Sequence, residues 1–183
     1  EETLRADIVD RNGVILARSL KTPSLFADPA LIANPEQVAR DLIRVLPDLN
    51  YGDVLQKLQR PSRFVWIKRN ISPNDQYKIL ELGYPGLNFQ DEAHRIYPQG
   101  PLTAHVVGFG DVDGNGLAGI ERSFNDLLKK GGDAVRLSID IRLQHIVRRE
   151  LMRSIREFDA IGGVGTIIDV QSGEILAAVS APD

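Results

Sequence analysis

Asp111-Val112-Asp113-Gly114-Asn115-Gly116 puts side-chain oxygens at positions one, three and five and a glycine at six. That is the opening of a helix–loop–helix calcium loop. Such a loop closes on a bidentate Glu at position twelve, but here that position is Arg122, and Glu121 falls one residue early. A cation facing the metal works against binding, so the stretch reads as a glycine-rich turn, with a calcium module as the alternative. Asp7 and Asp10 stand three apart beside Arg11-Asn12-Gly13, a spacing open to acid/base work by paired carboxylates, as in a hydrolase. Beside an arginine they read better as a turn clamp. His94, His105 and His145 fall on three different expected elements, and none has a second histidine at ligand spacing. A Ser-His-Asp site is spatial and stays open on spacing, although the chain has no Gly-x-Ser-x-Gly elbow. Gly162-Gly163-Val164-Gly165 precedes a strand instead of a helix, the wrong order for cradling phosphate. No metal or cofactor is expected. Arg5, Asp7, Asp10, Arg11, Arg95 and Glu121 adjoin apolar strands or helix starts, where charges need partners, and a half-buried salt-bridge network is the reading.

The elements that must position these groups are set by a chain of 183 residues, 43% hydrophobic and 26% charged, without cysteine. Disulfides and thiolate metal sites are excluded. Lys plus Arg is 22 against 25 for Asp plus Glu, a net charge of −3, which argues against a general nucleic-acid binder. No apolar run approaches the ~18 residues of a membrane helix. The chain opens on Glu1 and stops at Ser180-Ala181-Pro182-Asp183, and we read it as a piece of a longer protein.

Asn12-Gly13 between two β-rich runs over 5–17 is a strong hairpin signal, because both turn residues must tolerate positive φ. A short strand over 24–28 follows, then a helix from Pro35 to Leu46 and another over 53–58. Phe64-Val65-Trp66-Ile67 reads as a strand. Ser72 with Asp75 caps a helix ending at Gly83, and residues 87–97 read as a strand. Leu102–Val107 reads as helical, and Ile120, Phe124, Leu127 and Leu128 mark one face of an amphipathic helix over 117–128. Residues 129–133 combine charge with flexible glycine and lack an apolar anchor. Beyond them Ser138 or Asp140 caps a long helix carrying Leu143, Val147, Leu151 and Ile155. Two apolar strands over 164–170 and 174–180 then form a hairpin, both of whose faces want cover. The class is α+β: a small mixed module of short strands and helices, then one helix and a hairpin that open a second domain.

These stretches resemble the N-terminal module of the class B penicillin-binding proteins. The family's Arg-Gly-x-Ile-x-Asp-Arg-Asn-Gly appears as Arg5 to Gly13, with Ala6 in place of the glycine and Leu16-Ala17 following. Its Arg-x-Tyr-Pro-x-Gly is Arg95, Tyr97, Pro98 and Gly100, with Ala104-His105 and Gly108 downstream. Its Gly-x-x-Gly-Ile-Glu is Gly116, Gly119, Ile120 and Glu121. The opening of the transpeptidase domain, Ser-Ile-Asp-x-Arg-Leu-Gln, is Ser138 to Gln144 with Asp140, and its strand–turn–strand resembles Ile168 to Ala177. The β-rich stretch that usually follows the third motif is nearly lacking here, since only nine residues separate Leu128 from Ser138.

The resemblance implies three parts: residues 1–130 as the pedestal (dimerisation) domain, 131–137 as a shortened linker, and 138–183 as the start of the transpeptidase domain. It implies that Arg5, Asp10, Arg95 and Glu121 form one clamp joining the module's strands to the head. The division-specific member is the better match, the elongation-specific one the alternative. No serine here has lysine at the third position after it, so the Ser-x-x-Lys nucleophile is absent and this stretch is expected to be non-catalytic. The implied parent sits on the periplasmic face of the inner membrane, held by an upstream helix. It cross-links peptidoglycan at the septum and meets an FtsW-like glycosyltransferase and other division proteins, with a homodimer as a further partner option.

Overall fold

The structure is a computed structural model and describes residues 4–182. The fold is α+β, with seven α-helices and seven strands among the described residues. The chain divides into two compact units, one taking it up to Leu20 and from Arg95 onward, the other covering Lys21–His94.

The second unit is an apolar core under a short piece of sheet. Strand β2 (Ile15–Ala27) begins in the first unit, and its last residues pair antiparallel with β3 (Val65–Lys68), Phe26 opposite Trp66. The sequence reading stops one strand near Ala17 and starts another at Ser24. The structure runs a single strand through Pro23, whose carbonyl accepts from the Ile71 N–H instead of from a ladder partner. Helices α1 (Pro35–Val45), α2 (Tyr51–Leu58) and α3 (Pro73–Glu81) each start on a side-chain cap: Asn34 to the Gln37 N–H, Asn50 to those of Gly52 and Asp53, Ser72 to that of Asp75. Asn50 is why α2 begins two residues earlier than expected. Val38, Leu42, Leu46, Val54, Leu58, Ile67 and Ile79 form the buried centre.

In the first unit β1 (Ile8–Val9) lies between the start of β2, antiparallel, and β5 (Val135–Arg136), parallel. β5 falls inside the stretch read as a linker, and Val135 packs on the core of Ile8, Leu16, Ala17, Val107 and Leu128. Strand β4 (Leu87–Ile96) delivers Arg95, and the short helix α4 (Ala104–Val107) follows a 3-10 turn. The single helix expected over 117–128 is two, α5 (Gly119–Ser123) and α6 (Asn125–Lys129), broken at Phe124. The break frees the Glu121 carbonyl, which a continuous helix would bond to the Asn125 N–H, and a side chain from elsewhere takes it.

Helix α7 (Ile141–Glu157) is capped by Asp140 and lies on the hairpin of β6 (Gly163–Ile168) and β7 (Ile175–Ala181). Gly165 makes that contact possible, because a Cβ there would stand 2.6 Å from Val147 Cγ1. Val164 and Ile168 on the other face of the hairpin remain exposed. No helix among the described residues is long and apolar enough to cross a membrane.

Removing the Leu42 side chain from the closed centre of the second unit should leave a cavity that the helices cannot fill. Leu42→Ala is expected to cost about 3 kcal/mol. Urea unfolding should show a lower midpoint at an unchanged slope.

Candidate functional site

Three of the motif residues meet in the first unit around one carboxylate. Glu121, with no exposure to water, accepts from Arg5 Nε at Oε2 and from Arg95 Nε at Oε1, both at 2.7 Å. The two guanidinium groups are themselves buried. Arg5 spends its other nitrogens on carbonyls and an amide: Nη2 donates to the Glu121 carbonyl at 2.7 Å, Nη1 to Gly114 O and to Asn125 Oδ1. This is the carbonyl released by the break between α5 and α6. Arg95 Nη1 donates to Ala6 O at 2.8 Å, to Arg5 O and to Ser19 Oγ, which ties β4 to β1 and β2. Two cations against one anion leave a buried excess of positive charge, and these carbonyl oxygens are what offset it.

The glycines of the third motif serve this packing. A Cβ on Gly116 would lie 1.9 Å from the Glu121 carbonyl oxygen, while the Gly116 N–H donates to Asn125 Oδ1. Gly119 starts α5 with its backbone against Gly108 and Val106. Tyr97 accepts from the Gly110 N–H at 2.9 Å, and burial, then the Glu121 charge, push its hydroxyl above the ordinary value. Pro98 and Gly100 make the turn after it, with the Gly100 N–H on Tyr97 O.

Asp10 does not join the clamp. Its Oδ1 accepts from the Asn12 and Val14 N–H groups at 2.8 Å, closing the Gly13 turn, and its Oδ2 accepts from the Ile141 N–H at 3.2 Å. It thus caps the first turn of α7 across the fold. Burial raises its pKa, but the backbone donors outweigh that and hold it below the usual carboxylate range. Asp140, hydrogen-bonded first by Arg142 and also by Asn12, is lowered too. Gln144 completes the joint: its amide donates to Leu102 O and Ala178 O, and its oxygen accepts from the Ala178 N–H at 2.9 Å. One side chain thereby acts as a strand partner for the edge of β7 and holds it to the 3-10 turn before α4.

The other candidates separate. Asp7 pairs with Arg18 at 2.8 Å, so the two early carboxylates face different partners and form no acid/base pair. Arg11 reaches Glu174 at the exposed surface. His105 and His145 are exposed on α4 and α7, and His94 lies in β4 of the other unit. Asp111 turns its oxygens onto the Asp113 and Asn115 N–H groups and the Asn115 amide of its own turn. No group of three or more His, Asp or Glu among the described residues is arranged to hold a metal. Asn12, Ser19 and Asn125 are the contributors that sequence reasoning missed. An asparagine just after the Gly-Ile-Glu helix start, where it can cap a turn, was the one available signal for Asn125.

This interlock ties Arg5, Ser19, Arg95 and Glu121 together through charge-assisted hydrogen bonds. The family model for the penicillin-binding protein dimerisation domain matches residues 1–140, and the chain belongs to that family. The curated relatives it matches are named as peptidoglycan D,D-transpeptidases. The chain is 37% identical to the probable peptidoglycan D,D-transpeptidase FtsI of Caulobacter vibrioides, covering 100% of this chain and 31% of that protein. It is 30% identical to FtsI of Escherichia coli K12, over 98% of this chain and 36% of the relative. It thus spans about a third of these curated relatives. A peptidoglycan synthetase structure from Bifidobacterium adolescentis shows the same fold at TM-score 0.62 and 24% identity, over 99% of this chain and 43% of that one.

Arg95→Ala leaves Glu121 half-paired and several carbonyls without a donor, and should cost about 3 kcal/mol. An unchanged melting temperature would contradict the clamp. Because the folded pKa of Asp10 is depressed, its contribution is present above the ordinary carboxylate range and lost as pH falls below about 4. Asp10→Asn should therefore be less stable than the parent chain near neutrality, with the gap narrowing in denaturation series run toward about pH 3.

Proposed function

We propose that the chain is the non-catalytic pedestal of a septal peptidoglycan D,D-transpeptidase, together with the first helix and hairpin of the catalytic head. Its work is mechanical: to hold the head at a set orientation on the periplasmic side of the inner membrane and to offer docking surface to an FtsW-like glycosyltransferase and other division proteins. The observation that carries this reading is the joint at α7. Asp10 from the first motif caps the helix, and Gln144 in the helix holds both Leu102 and Ala178, so the module's segments up to Leu20 and from Arg95 share one compact unit with the head opening. A pedestal whose head pivoted freely would not need such a joint.

Two further features favour it. No serine in the sequence is followed by lysine at the third position, so the nucleophile of the relatives' named activity has no counterpart here. The hairpin face turned away from α7 keeps Val164 and Ile168 in water, a surface suited to cover by more of a head.

Fluorescent-penicillin labelling of this chain beside a full-length parent tests the reading. The parent should label and this chain stay dark. A labelled chain would mean that a nucleophile lies within it, and a dark parent would remove the transpeptidase reading.

A further inference from the structure

Within the first unit, a groove of about 500 Å³ runs between α7 and the turn before α4. Its apolar lining is Pro101, Leu102 and Met152, and its charged lining is Arg148, Arg149 and Arg156, with Gln99 and His145 beside them and no carboxylate. At about 100° per residue, positions 145, 148, 149, 152 and 156 fall on one arc of about 100°. Leu143, Val147, Leu151 and Ile155, which face the hairpin, occupy the adjoining arc. Glu150 and Glu157 fall on the far side of the helix, although Arg149 bends to hold Glu150 at 2.8 Å. A chain with net charge −3 has therefore gathered cations along one concave apolar strip about three helical turns long. Neither the clamp nor the α7 joint uses the side chains of this strip; only the Leu102 carbonyl is shared, as a partner of Gln144.

We propose that this groove receives an acidic, amphipathic segment of a partner protein, its apolar side chains on Leu102 and Met152 and its carboxylates on Arg149 and Arg156. The concave apolar floor separates this occupant from the others that a cationic strip could attract. A lipid surface would need the cations on a convex or flat face with the apolar side chains projecting past them. A glycan or nucleic-acid strand would want stacking on Phe, Tyr or Trp, and none of these lines the groove. A helix-in-groove partner needs an apolar floor with charge at the rim, which is what the lining offers. The inference rests on the pedestal reading for the class of partner, since it names one of the docking surfaces that reading requires; the groove itself does not depend on it.

The test is fluorescence anisotropy of the whole chain with a synthetic helix of about three turns carrying leucines on one face and glutamates flanking them. A matched helix with Glu→Gln throughout and vesicles of phosphatidylglycerol serve as the other two probes. The glutamate helix should bind, weaken about tenfold, equivalent to about 1.4 kcal/mol, in each of Arg149→Glu and Arg156→Glu, and weaken again as salt rises from about 0.1 to 0.5 M. Both positions are exposed, so an unchanged melting temperature should show both variants folded. The proposal fails if the glutamate helix does not bind, if the glutamine helix binds equally well, if both variants bind like the parent chain, or if vesicles bind and the helix does not displace them. Failure here with a penicillin-labelled full-length parent would remove the groove and leave the pedestal reading in place.

Discussion

A carboxylate without contact to water is costly to bury, and Glu121 is tolerable only because two guanidinium groups reach it from opposite sides. Everything else in the first unit follows from meeting that demand. Arg5 comes from the segment entering β1, Arg95 from β4, Glu121 from α5, so the ion pairs form only when three distant stretches of chain are already in place. Arginine suits the task where lysine would not, because its fork addresses the carboxylate and the neighbouring carbonyls at once. Arg5 exploits this by taking the Glu121 carbonyl as well as its side chain. The break in the helix, the bare backbone of Gly116 and the amide of Asn125 all serve to present that carbonyl. Such a cluster adds little net stability compared with an apolar core, but losing one member is expensive. It therefore selects one arrangement of the strands over near alternatives, whereas the second unit, built on an apolar centre and three capped helices, relies on burial.

The sequence made the clamp's members legible for a physical reason: Arg5, Arg95 and Glu121 are charges beside apolar strand and helix-start positions, and a charge there has to find a partner. Grouping Asp10 with them failed for an equally physical reason. Arg5 and Asp10 stand at opposite ends of β1, and five residues of near-extended chain span about 16 Å, too far to share one carboxylate site. Asp10 answers to the turn beside it and to the first N–H groups of α7, and long-range caps leave no periodic trace. The broken helix was hidden by its own pattern, since Ile120, Phe124 and Leu127 keep helical spacing through the break. Only Gly116 and Gly119 hinted that the backbone is crowded there. Pro23 misled in the same way. A proline reads as the end of a strand, but β2 passes through it because its carbonyl is engaged by Ile71 and no ladder N–H is required.

The glycines of 162–165 show where a correct exclusion still left the cause unread. Their order before a strand ruled out a phosphate loop, but nothing in the local sequence said that α7 would lie so close. Gly165 is bare because Val147 occupies the space a side chain would fill, and that is a tertiary fact. The stretch read as a linker is a similar case. Its glycines and charges suggested a domain boundary, while Val135 and Leu137, apolar residues either side of Arg136, pack on the core and seat β5 against β1.

The joint at α7 is made of hydrogen bonds, and these constrain orientation in a way that an apolar contact does not. Apolar surfaces slide at small cost, because dispersion and burial change gradually with displacement. A carboxylate accepting a helix N–H, and an amide bonded both ways to one strand residue, tolerate only a few tenths of an ångström and narrow angles. Asp10 and Gln144 thus fix the rotation and the register of α7 against the module, and α7 fixes the hairpin through the bare face of Gly165. On the pedestal reading, a head begun on such a base inherits its direction from the same charged motif residues that hold the module together.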